Sequence, residues 1–325
     1  MHRVVVSRRI YPELIERLGR EFDVVANQDD RNWSASDLAQ ALADADAALV
    51  TAGERIDDAL LARCPRLKVV SNIAVGYNNI DLAACTRHGV LATNTPDVLN
   101  EATADHAWAL LLAAARRVGE SERWLRAGHW KRWTFEMFNG AEVCGSTLGI
   151  LGMGRIGRAI ARRAAGFSMR VVYHNRNRLP AGQEGGAQYV ALEDLLAQSD
   201  HLVLVVPYSQ AVHHIIGGAQ LARMKRSAVL VNIARGGVVD DAALVTALRE
   251  GRIAAAGLDV YENEPALHPG LLELENVVLT PHIASSTRAT RIAMASLAAD
   301  NARAALAGQV PPSLLNPDVL PDRRR

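Results

Sequence analysis

A strand–turn–helix segment near the middle of the chain constrains the fold most. Thr147–Leu151 is typical of a buried β-strand and runs directly into the glycine-rich sequence GMGRIG at residues 152–157, which a helical pattern follows. In this context Gly152 allows a tight turn, Gly154 lets the backbone approach a pyrophosphate, and Gly157 lets the helix pack closely. The helix N-terminus adds N–H donors for phosphate. The segment therefore predicts a dinucleotide-binding unit.

Short β-rich runs alternate with helical patterns on both sides of this segment. Strands are predicted at Arg3–Val6, Ala47–Thr51 and Lys68–Asn72 in the first hundred residues, and six more follow from Thr147. Such alternation implies parallel sheets covered by helices. A length of 325 residues corresponds to two domains at about 150 residues each. We expect an α/β protein with two doubly wound parallel-sheet domains.

Two helices and an aromatic-rich stretch stand outside this alternation. One long helix is predicted over Leu99–Gly119, and its surface is apolar almost all round, so we expect burial between two domains or two subunits. The tryptophans and phenylalanines of residues 124–138 allow two interpretations: packing under a loop, or a dimer or active-site flap. A final helix over Thr287–Leu306 is expected to return to the first domain.

Composition excludes several classes of function. Thirty-six basic and thirty-five acidic residues give a net charge of +1, and aromatics make up 5%. We therefore expect no nucleic-acid partner and no membrane partner. Cys64, Cys85 and Cys144 form no C-x-x-C pair, and we interpret them as buried hydrophobes in a reducing compartment. We expect a cytoplasmic protein without a signal peptide or metal ion, and with a solvated tail at residues 323–325.

The residues after the strand at 170–173 bear on the choice of nicotinamide cofactor. A carboxylate there would bond the ribose 2′-hydroxyl of NAD, but this chain has His174, Asn175, Arg176 and Arg178 instead. An arginine can hold a 2′-phosphate with forked donors. We predict that NADP(H) is preferred, with NAD(H) still usable. The alternative is a solvated basic loop.

Three further segments follow predicted strands, where ligands of open α/β sheets bind. Arg235 lies in the first, Asp259 and Glu264 lie in the second, and His282 lies in the third. Each has an ordinary structural explanation if taken alone. His282 could be a hydrogen-bonded core histidine, and Arg235 could form a surface ion pair.

The order and spacing of longer motifs give these residues a context. GMGRIG, NIARGGVVDDAALVTAL, GLDVYENEP and TPHIASST resemble the D-isomer-specific 2-hydroxyacid dehydrogenase family, and SNIAVGYNNIDL and ATNTPDVLNEATADHAWALLLAAARR agree. The resemblance spans about Asn72 to Thr287. The basic loop after Tyr173 is similar to the glyoxylate/hydroxypyruvate reductase and 2-ketogluconate reductase branch. The resemblance implies NAD(P)H-dependent reduction of a small 2-oxo acid to the D-2-hydroxy acid.

The resemblance also implies roles in the reaction. Arg235 would hold the carbonyl oxygen and carboxylate of the substrate. His282 would be the general acid that protonates the carbonyl oxygen as hydride reaches C2. Glu264 would pair with His282 and fix its ring. Backbone N–H groups of Val75 and Gly76 would bind the substrate carboxylate.

The cofactor contacts implied by the resemblance surround the glycine turn. Asp259 would accept from the nicotinamide carboxamide, and Arg235 and His282 would also border the cofactor. Ala284 stands where glycine is common in the family, and Val212 stands where the family usually has a threonine or an asparagine. The remaining implied cofactor-binding residues are Thr103, Arg155, Ile156, Val206, Pro207, Ile233 and Ala234.

The domain roles follow from the same resemblance. Residues 99–286 would form a Rossmann-type dinucleotide-binding domain, and residues 1–98 with 287–325 a flavodoxin-like substrate domain. The site would lie in the cleft between them. Separately, the long apolar helix from Leu99 suggests a homodimer. Two alternatives remain: a cofactor-sensing interaction protein like the family's corepressors, and a dehydrogenase of another acid such as phosphoglycerate. Oxidation of NADPH by hydroxypyruvate separates enzyme from sensor.

Overall fold

The computed structural model describes residues 1–324 and contains two compact units. Unit 1 comprises Met1–Leu99 and the chain from Thr287 onward, and unit 2 comprises Asn100–Ser286. The chain passes from one unit to the other twice. Each unit is built on its own sheet, in which every strand pair is parallel. The predicted α/β fold class is confirmed.

Unit 1 contains a five-stranded sheet. Its elements are β1 (Arg3–Val6), α1 (Pro12–Gly19), β2 (Asp23–Ala26), α2 (Ala35–Leu42), β3 (Ala47–Val50), α3 (Asp58–Ala62), β4 (Val69–Asn72), α4 (Leu82–Arg87) and β5 (Leu91–Thr93). The strand order β2-β1-β3-β4-β5 is the flavodoxin-like doubly wound order. Strands β3 and β4 are buried along their whole length, as expected for a parallel sheet covered on both faces.

Unit 2 contains a seven-stranded sheet. Its elements are α5 (Asn100–Ala115), α6 (Val118–Arg126), β6 (Thr147–Leu151), α7 (Arg155–Ala164), β7 (Arg170–His174), β8 (Gln188–Tyr189), α8 (Leu192–Gln198), β9 (His201–Leu204), α9 (Gly218–Leu221), β10 (Val229–Asn232), α10 (Asp241–Arg249), β11 (Ala255–Leu258), α11 (Pro269–Leu272) and β12 (Val277–Leu279). The order β12-β11-β10-β9-β6-β7-β8 is the Rossmann order with one strand added. Sequence analysis missed β8, which is too short to show a pattern.

The predicted helix over Leu99–Gly119 is in fact two helices. Helix α5 ends at Ala115, and the chain turns at Arg117, whose φ of +52° lies in the left-handed region, before α6 begins. Helix α5 packs against α7, β10 and β11 of its own unit. Gly257 of β11 permits this close packing, because a Cβ there would lie 3.0 Å from the Cβ of Leu110. The apolar surface of α5 therefore needs no second domain or subunit to cover it.

The aromatic stretch is only partly packed. Trp124 contacts Phe138 edge-to-face with ring centroids 5.3 Å apart. Trp130, Trp133 and Phe135 are 55%, 70% and 85% exposed. The interpretation as packing under a loop therefore holds for the first pair and is wrong for these three side chains.

The cysteines are free thiols in two different environments. Cys64 and Cys85 are buried as expected, and burial raises the pKa of Cys85 to about 12. Cys144 is exposed, and the expectation of burial is wrong for it. It lies in the irregular segment before β6, outside any packed face.

The last helix, α12 (Arg288–Leu306), packs against β3 and β4 of unit 1. Thr287 caps it by accepting from the N–H of Thr290 at 3.1 Å, and Ser71 of β4 donates to the carbonyl of Ala298 at 2.7 Å. Within residues 1–324, no helix combines the length and the apolar character needed to cross a membrane.

The basic tail is hydrogen-bonded rather than solvated. Arg323 donates to the carbonyl of Gly308 at 2.6 Å, and Arg324 donates to the carbonyls of Cys64 and Leu67 at 2.7 and 2.9 Å. The expectation of a solvated end is wrong for these two residues, because three backbone carbonyls lie within hydrogen-bond distance of their guanidinium groups. Arg325 lies outside the described residues.

Candidate active site

The glycine turn after β6 has a conformation that only glycines can supply. Gly152 has a φ of +107°, and a Cβ on it would lie 2.8 Å from the carbonyl carbon of Val205. A Cβ on Gly157 would lie 2.3 Å from the carbonyl oxygen of Gly152. The turn therefore closes tightly onto both the start of α7 and the segment after β9.

The turn leaves open space in front of α7, where a dinucleotide phosphate would bind. Gly154 is the N-cap residue of α7 and supplies no side-chain cap, and a Cβ on it would meet nothing within 4 Å. The Met153 N–H donates to Oδ1 of Asn175 at 2.6 Å, which fixes the turn to the end of β7. These residues fit a pyrophosphate, because the backbone and helix dipole remain approachable.

The four polar residues after β7 differ in their availability to a ligand. Asn175 holds the turn, and Nδ1 of His174 lies 2.9 Å from the carbonyl oxygen of Val190. Arg178 forms two hydrogen bonds with the carboxylate of Glu184, at 2.9 and 3.1 Å. Arg176 is exposed and makes no hydrogen bond or ion pair with any residue that the structure describes. Arg176 is therefore the most available cation of this loop.

Arg235 lies in the loop after β10 and is held by local hydrogen bonds. Its Nη1 donates to the carbonyl of Ala234 at 2.8 Å, and Asn232 accepts from the Ala234 N–H at 3.0 Å. Gly236 brings this loop against the loop after β11, because a Cβ there would lie 1.7 Å from the carbonyl oxygen of Tyr261. Burial lowers the pKa of Arg235, and the negative charge of Glu264 opposes that change.

Glu264 and His282 form a hydrogen-bonded pair. Nδ1 of His282 lies 2.7 Å from Oε2 of Glu264, while Oε1 accepts from the Tyr261 N–H at 2.9 Å. Burial raises the pKa of Glu264, but the hydrogen bond and charge of His282, the Tyr261 N–H and Arg235 together bring that pKa below its usual value. The carboxylate thus remains ionised, and Nε2 of His282 is the ring nitrogen not engaged by it.

Asp259 has surroundings different from those expected for a ligand contact. Its side chain is buried, and its oxygens accept from the N–H groups of Ile283 and Ala284, both at 2.8 Å, and from the Thr280 hydroxyl at 2.6 Å. These donors, together with His106, hold the pKa of Asp259 below its usual value despite burial. Asp259 therefore fixes the backbone around His282, whose φ is +53°. The contact with a carboxamide stays a prediction.

The other predicted cofactor residues also belong to unit 2. Thr103, Ile233 and Ala234 are buried. Ile156, Val206 and Ala284 are half-buried, whereas Arg155 and Pro207 are exposed.

Val75 and Gly76, the predicted substrate residues, belong to the loop after β4 in unit 1. Asn94 donates to the carbonyl of Val75 and Asn72 donates to the carbonyl of Gly76, both at 2.8 Å. These bonds use the carbonyls of the loop, so that they fix the loop without using its N–H groups. Sequence analysis identified neither asparagine.

Three further contributors to the site were missed. Thr280 and His106 lie beside the Asp259 carboxylate, with Nε2 of His106 3.4 Å from Oδ1. Glu184 neutralises Arg178. A polar residue at the end of β12 and a histidine within an apolar helix were visible in the sequence, but nothing local indicated their partner.

Known proteins similar to this chain share both units. Residues 108–284 match the family described as "D-isomer specific 2-hydroxyacid dehydrogenase, NAD binding domain". A glyoxylate reductase from Thermococcus onnurineus (strain NA1) is 49% identical over 327 residues, covering 99% of this chain and 98% of the relative.

Solved structures of similar proteins also match the chain over both units. A glyoxylate reductase from Paecilomyes thermophila superposes with a TM-score of 0.87 at 35% identity, covering 97% of this chain and 98% of its own. An NADPH-dependent glyoxylate/hydroxypyruvate reductase from Sinorhizobium meliloti, in complex with NADP and malonate, gives a TM-score of 0.88 at 36% identity, covering 100% and 99%.

Proposed function

The chain belongs to the D-isomer-specific 2-hydroxyacid dehydrogenase family, and from this we propose its function: an NAD(P)H-dependent reductase of 2-oxo acids that acts on glyoxylate or hydroxypyruvate. The observation that supports this most is the His282–Glu264 pair, 2.7 Å apart in the same unit as the glycine turn and Arg235. A proton donor and a carboxylate-binding cation are what reduction of a 2-oxo acid requires.

The residues of the chain divide the work of the reaction. When bound, the nicotinamide supplies the hydride for the carbonyl carbon. Arg235 binds the carbonyl oxygen and carboxylate of the substrate with its planar, forked donors. His282 holds a proton at Nε2 and delivers it to the carbonyl oxygen. Glu264 stays ionised, orients the ring and stabilises its charged form.

Replacement of His282 tests this assignment. His282→Asn suits the positive φ of the position, because asparagine is enriched in that region. We expect kcat to fall by about 10²–10⁴-fold, the usual contribution of acid–base catalysis, while the NADPH dissociation constant changes little. His88→Asn, in unit 1, is the matched control. Wild-type kcat in His282→Asn at every pH would refute the assignment.

The substrate is tested with a panel of glyoxylate, hydroxypyruvate, pyruvate and 2-ketogluconate, each with NADPH and NADH. We expect the highest kcat/KM for glyoxylate or hydroxypyruvate, in keeping with the names of the similar reductases. Activity confined to the oxidation of phosphoglycerate, assayed separately with NADP⁺ and NAD⁺, would favour the dehydrogenase alternative. Cofactor binding without turnover of any acid would favour the sensor.

We propose that NADP(H) is preferred and that Arg176 binds the 2′-phosphate. Arg176 is exposed, whereas the nearby Arg178 is paired with Glu184. Arg176→Ala should lower kcat/KM for NADPH about tenfold, as expected for one lost charge-assisted bond. Arg178→Ala is the matched control and should have a smaller effect. Equal or better kcat/KM with NADH in the wild type would contradict the preference.

We propose that unit 2 is the dinucleotide-binding domain and unit 1 the substrate domain. The Val75–Gly76 backbone would bind the substrate carboxylate, and the two asparagine bonds to this loop support a preorganised site. Asn72→Ala removes one of them. It should raise KM for the 2-oxo acid and leave KM for NADPH unchanged, and the reverse pattern would contradict the assignment.

We also propose a homodimer. Trp130, Trp133 and Phe135 are large, exposed and close in sequence, and Trp133 and Phe135 pack edge-to-face. Exposed apolar side chains that lie together mark an interaction surface. Light scattering after gel filtration should give a molar mass twice that of one chain. The double variant Trp133→Glu/Phe135→Glu should lower this molar mass toward that of one chain. A monomeric wild type would refute the dimer.

We place the protein in the cytoplasm, as the sequence predicts. The three free cysteines support a reducing compartment. Cell fractionation tests this, and recovery outside the cytoplasm would contradict it.

A further inference from the structure

Two consecutive histidines and a glutamate lie together in unit 2, outside the site described above. His213 and His214 follow a short 3₁₀ turn after β9, and Glu262 follows β11. Potential ligand atoms of the three side chains all lie within 4.8 Å of one another. The imidazoles stack with centroids 4.0 Å apart and a 20° angle between their planes, and Nε2 of His214 contacts the Glu262 carboxylate. His213 is exposed, so an ion can enter from solvent.

Both imidazoles have partners of the kind found around metal-bound histidines. The Tyr208 hydroxyl lies 3.1 Å from Nδ1 of His213. A carboxylate oxygen of Asp240 lies 3.9 Å from Nδ1 of His214, on the ring edge away from Glu262. Outer carboxylate and hydroxyl partners orient a ligand histidine and raise its basicity. The cluster therefore has one hydrogen-bonded outer partner, Tyr208, and the Asp240 carboxylate adds negative charge beside His214 without a hydrogen bond.

The backbone holds the two segments of the cluster. The His214 N–H donates to the carbonyl of Gly237 at 2.7 Å, and the Glu262 N–H donates to Asp241 at 3.2 Å. Gly237 has a φ of +78°, and a Cβ on it would lie 3.1 Å from Nδ1 of His213. The absent side chain leaves room for the His213 ring.

We propose that His213, His214 and Glu262 bind a divalent transition-metal ion, with Zn²⁺ as the best match. Two imidazoles and one carboxylate form a known zinc donor set, which water completes to four ligands. The ion would replace the proton between His214 and Glu262. Since His214 is bonded to the loop of Arg235 and Glu262 lies two residues before Glu264, the ion would connect the loops that hold these two residues. This proposal does not depend on the identity of the 2-oxo acid.

Titration of the EDTA-treated, dialysed full chain with Zn²⁺ tests the proposal. We expect one Zn²⁺ per chain by calorimetry, a higher Tm with Zn²⁺, and visible absorption of a low-coordinate site with Co²⁺. His213→Asn and Glu262→Gln should each weaken Zn²⁺ binding by more than the ~10–100-fold that outer-partner changes cost.

Two controls separate this site from other histidines. His88→Asn removes a histidine that lies 3.2 Å from the Asp58 carboxylate, and it should leave Zn²⁺ binding unchanged. His282→Asn should also leave it unchanged. Circular dichroism and Tm in EDTA establish that each variant is folded. The proposal is overturned if the wild type binds no Zn²⁺, if both cluster variants bind it as tightly as the wild type, or if only His282→Asn loses it.

Discussion

Asp259 and Asp241 are two buried carboxylates of the same unit, and their pKa values move in opposite directions. Asp259 is 0% exposed and its pKa is lowered, because two backbone N–H groups, a hydroxyl and His106 surround it. Asp241 is 4% exposed, and burial, reinforced by the charges of Glu262 and Asp240, raises its pKa to about 6 against one backbone donor from Glu262. Burial alone therefore does not decide the charge of a carboxylate. The hydrogen-bond donors and the charged groups that face it do.

The largest effect is expected from removing the charge at Asp259. Asp259→Asn places an amide where backbone N–H groups need an acceptor, so that one buried donor faces another. We expect the free energy of unfolding to fall by about 3 kcal/mol. The displaced His282 backbone should lower kcat by about 100-fold. Urea denaturation and steady-state kinetics measure both. Values within error of the wild type would show that the donors do not matter.

The same substitution at Asp241 should act in the opposite direction on stability. Asp241→Asn keeps an acceptor for the Glu262 N–H but removes a charge that is costly to bury. At pH 8 we expect the free energy of unfolding to rise by about 1–3 kcal/mol, with kcat within about threefold of the wild type. The measurement is made in EDTA. A loss of stability at pH 8 would contradict the raised pKa.

The pH dependence of stability separates the two residues further. The raised pKa of Asp241 stabilises the folded state. This contribution is fully present below pH 3.8, the pKa of the residue in the unfolded chain, and it is lost as the pH rises through about 6. The lowered pKa of Asp259 does the reverse: its contribution is present above the unfolded value and is lost as pH falls through the folded one. Wild-type stability should therefore decline between pH 4 and 6 relative to Asp241→Asn, and not relative to Asp259→Asn.

The smallest effect is expected from removing one donor to Asp259. Thr280→Val deletes the hydroxyl that lies 2.6 Å from the carboxylate and should cost about 1 kcal/mol of unfolding free energy. Thr246→Val, which removes an exposed hydroxyl bond to the carbonyl of Ala242, is the control and should change stability by less than about 0.5 kcal/mol. Equal losses in both variants would show that the number of donors around Asp259 is unimportant.

Sequence reasoning succeeded where the physical cause is local. The glycine turn was predictable, because tight backbone geometry requires Gly152 and Gly157 themselves. The parallel sheets were predictable from the alternation of short strands and helices. The roles of Arg235, Glu264 and His282 came from the family resemblance, and the structure places the last two within hydrogen-bond distance.

Sequence reasoning failed where partners are distant in the chain or the signal is absent. Arg117 adopts a left-handed conformation although it is not a glycine, and the nearest glycine, Gly119, lies inside α6 rather than at the break. Glu184, whose carboxylate accepts hydrogen bonds from Arg178, lies six residues after it in an irregular segment. Asp259 lies at a strand end, as a ligand-binding residue should, but the N–H groups that occupy it are 24 and 25 residues away.

The anchoring of Ile283 and Ala284 to a buried carboxylate has a consequence for local motion. These residues belong to an irregular segment, and the Ile283 side chain is 37% exposed. Their amide hydrogens nonetheless point into the interior. Deuterium should therefore replace them at the slow rate of the sheet core rather than at the fast rate of the surrounding surface. Exchange requires the hydrogen bonds between these two N–H groups and the Asp259 carboxylate to break together.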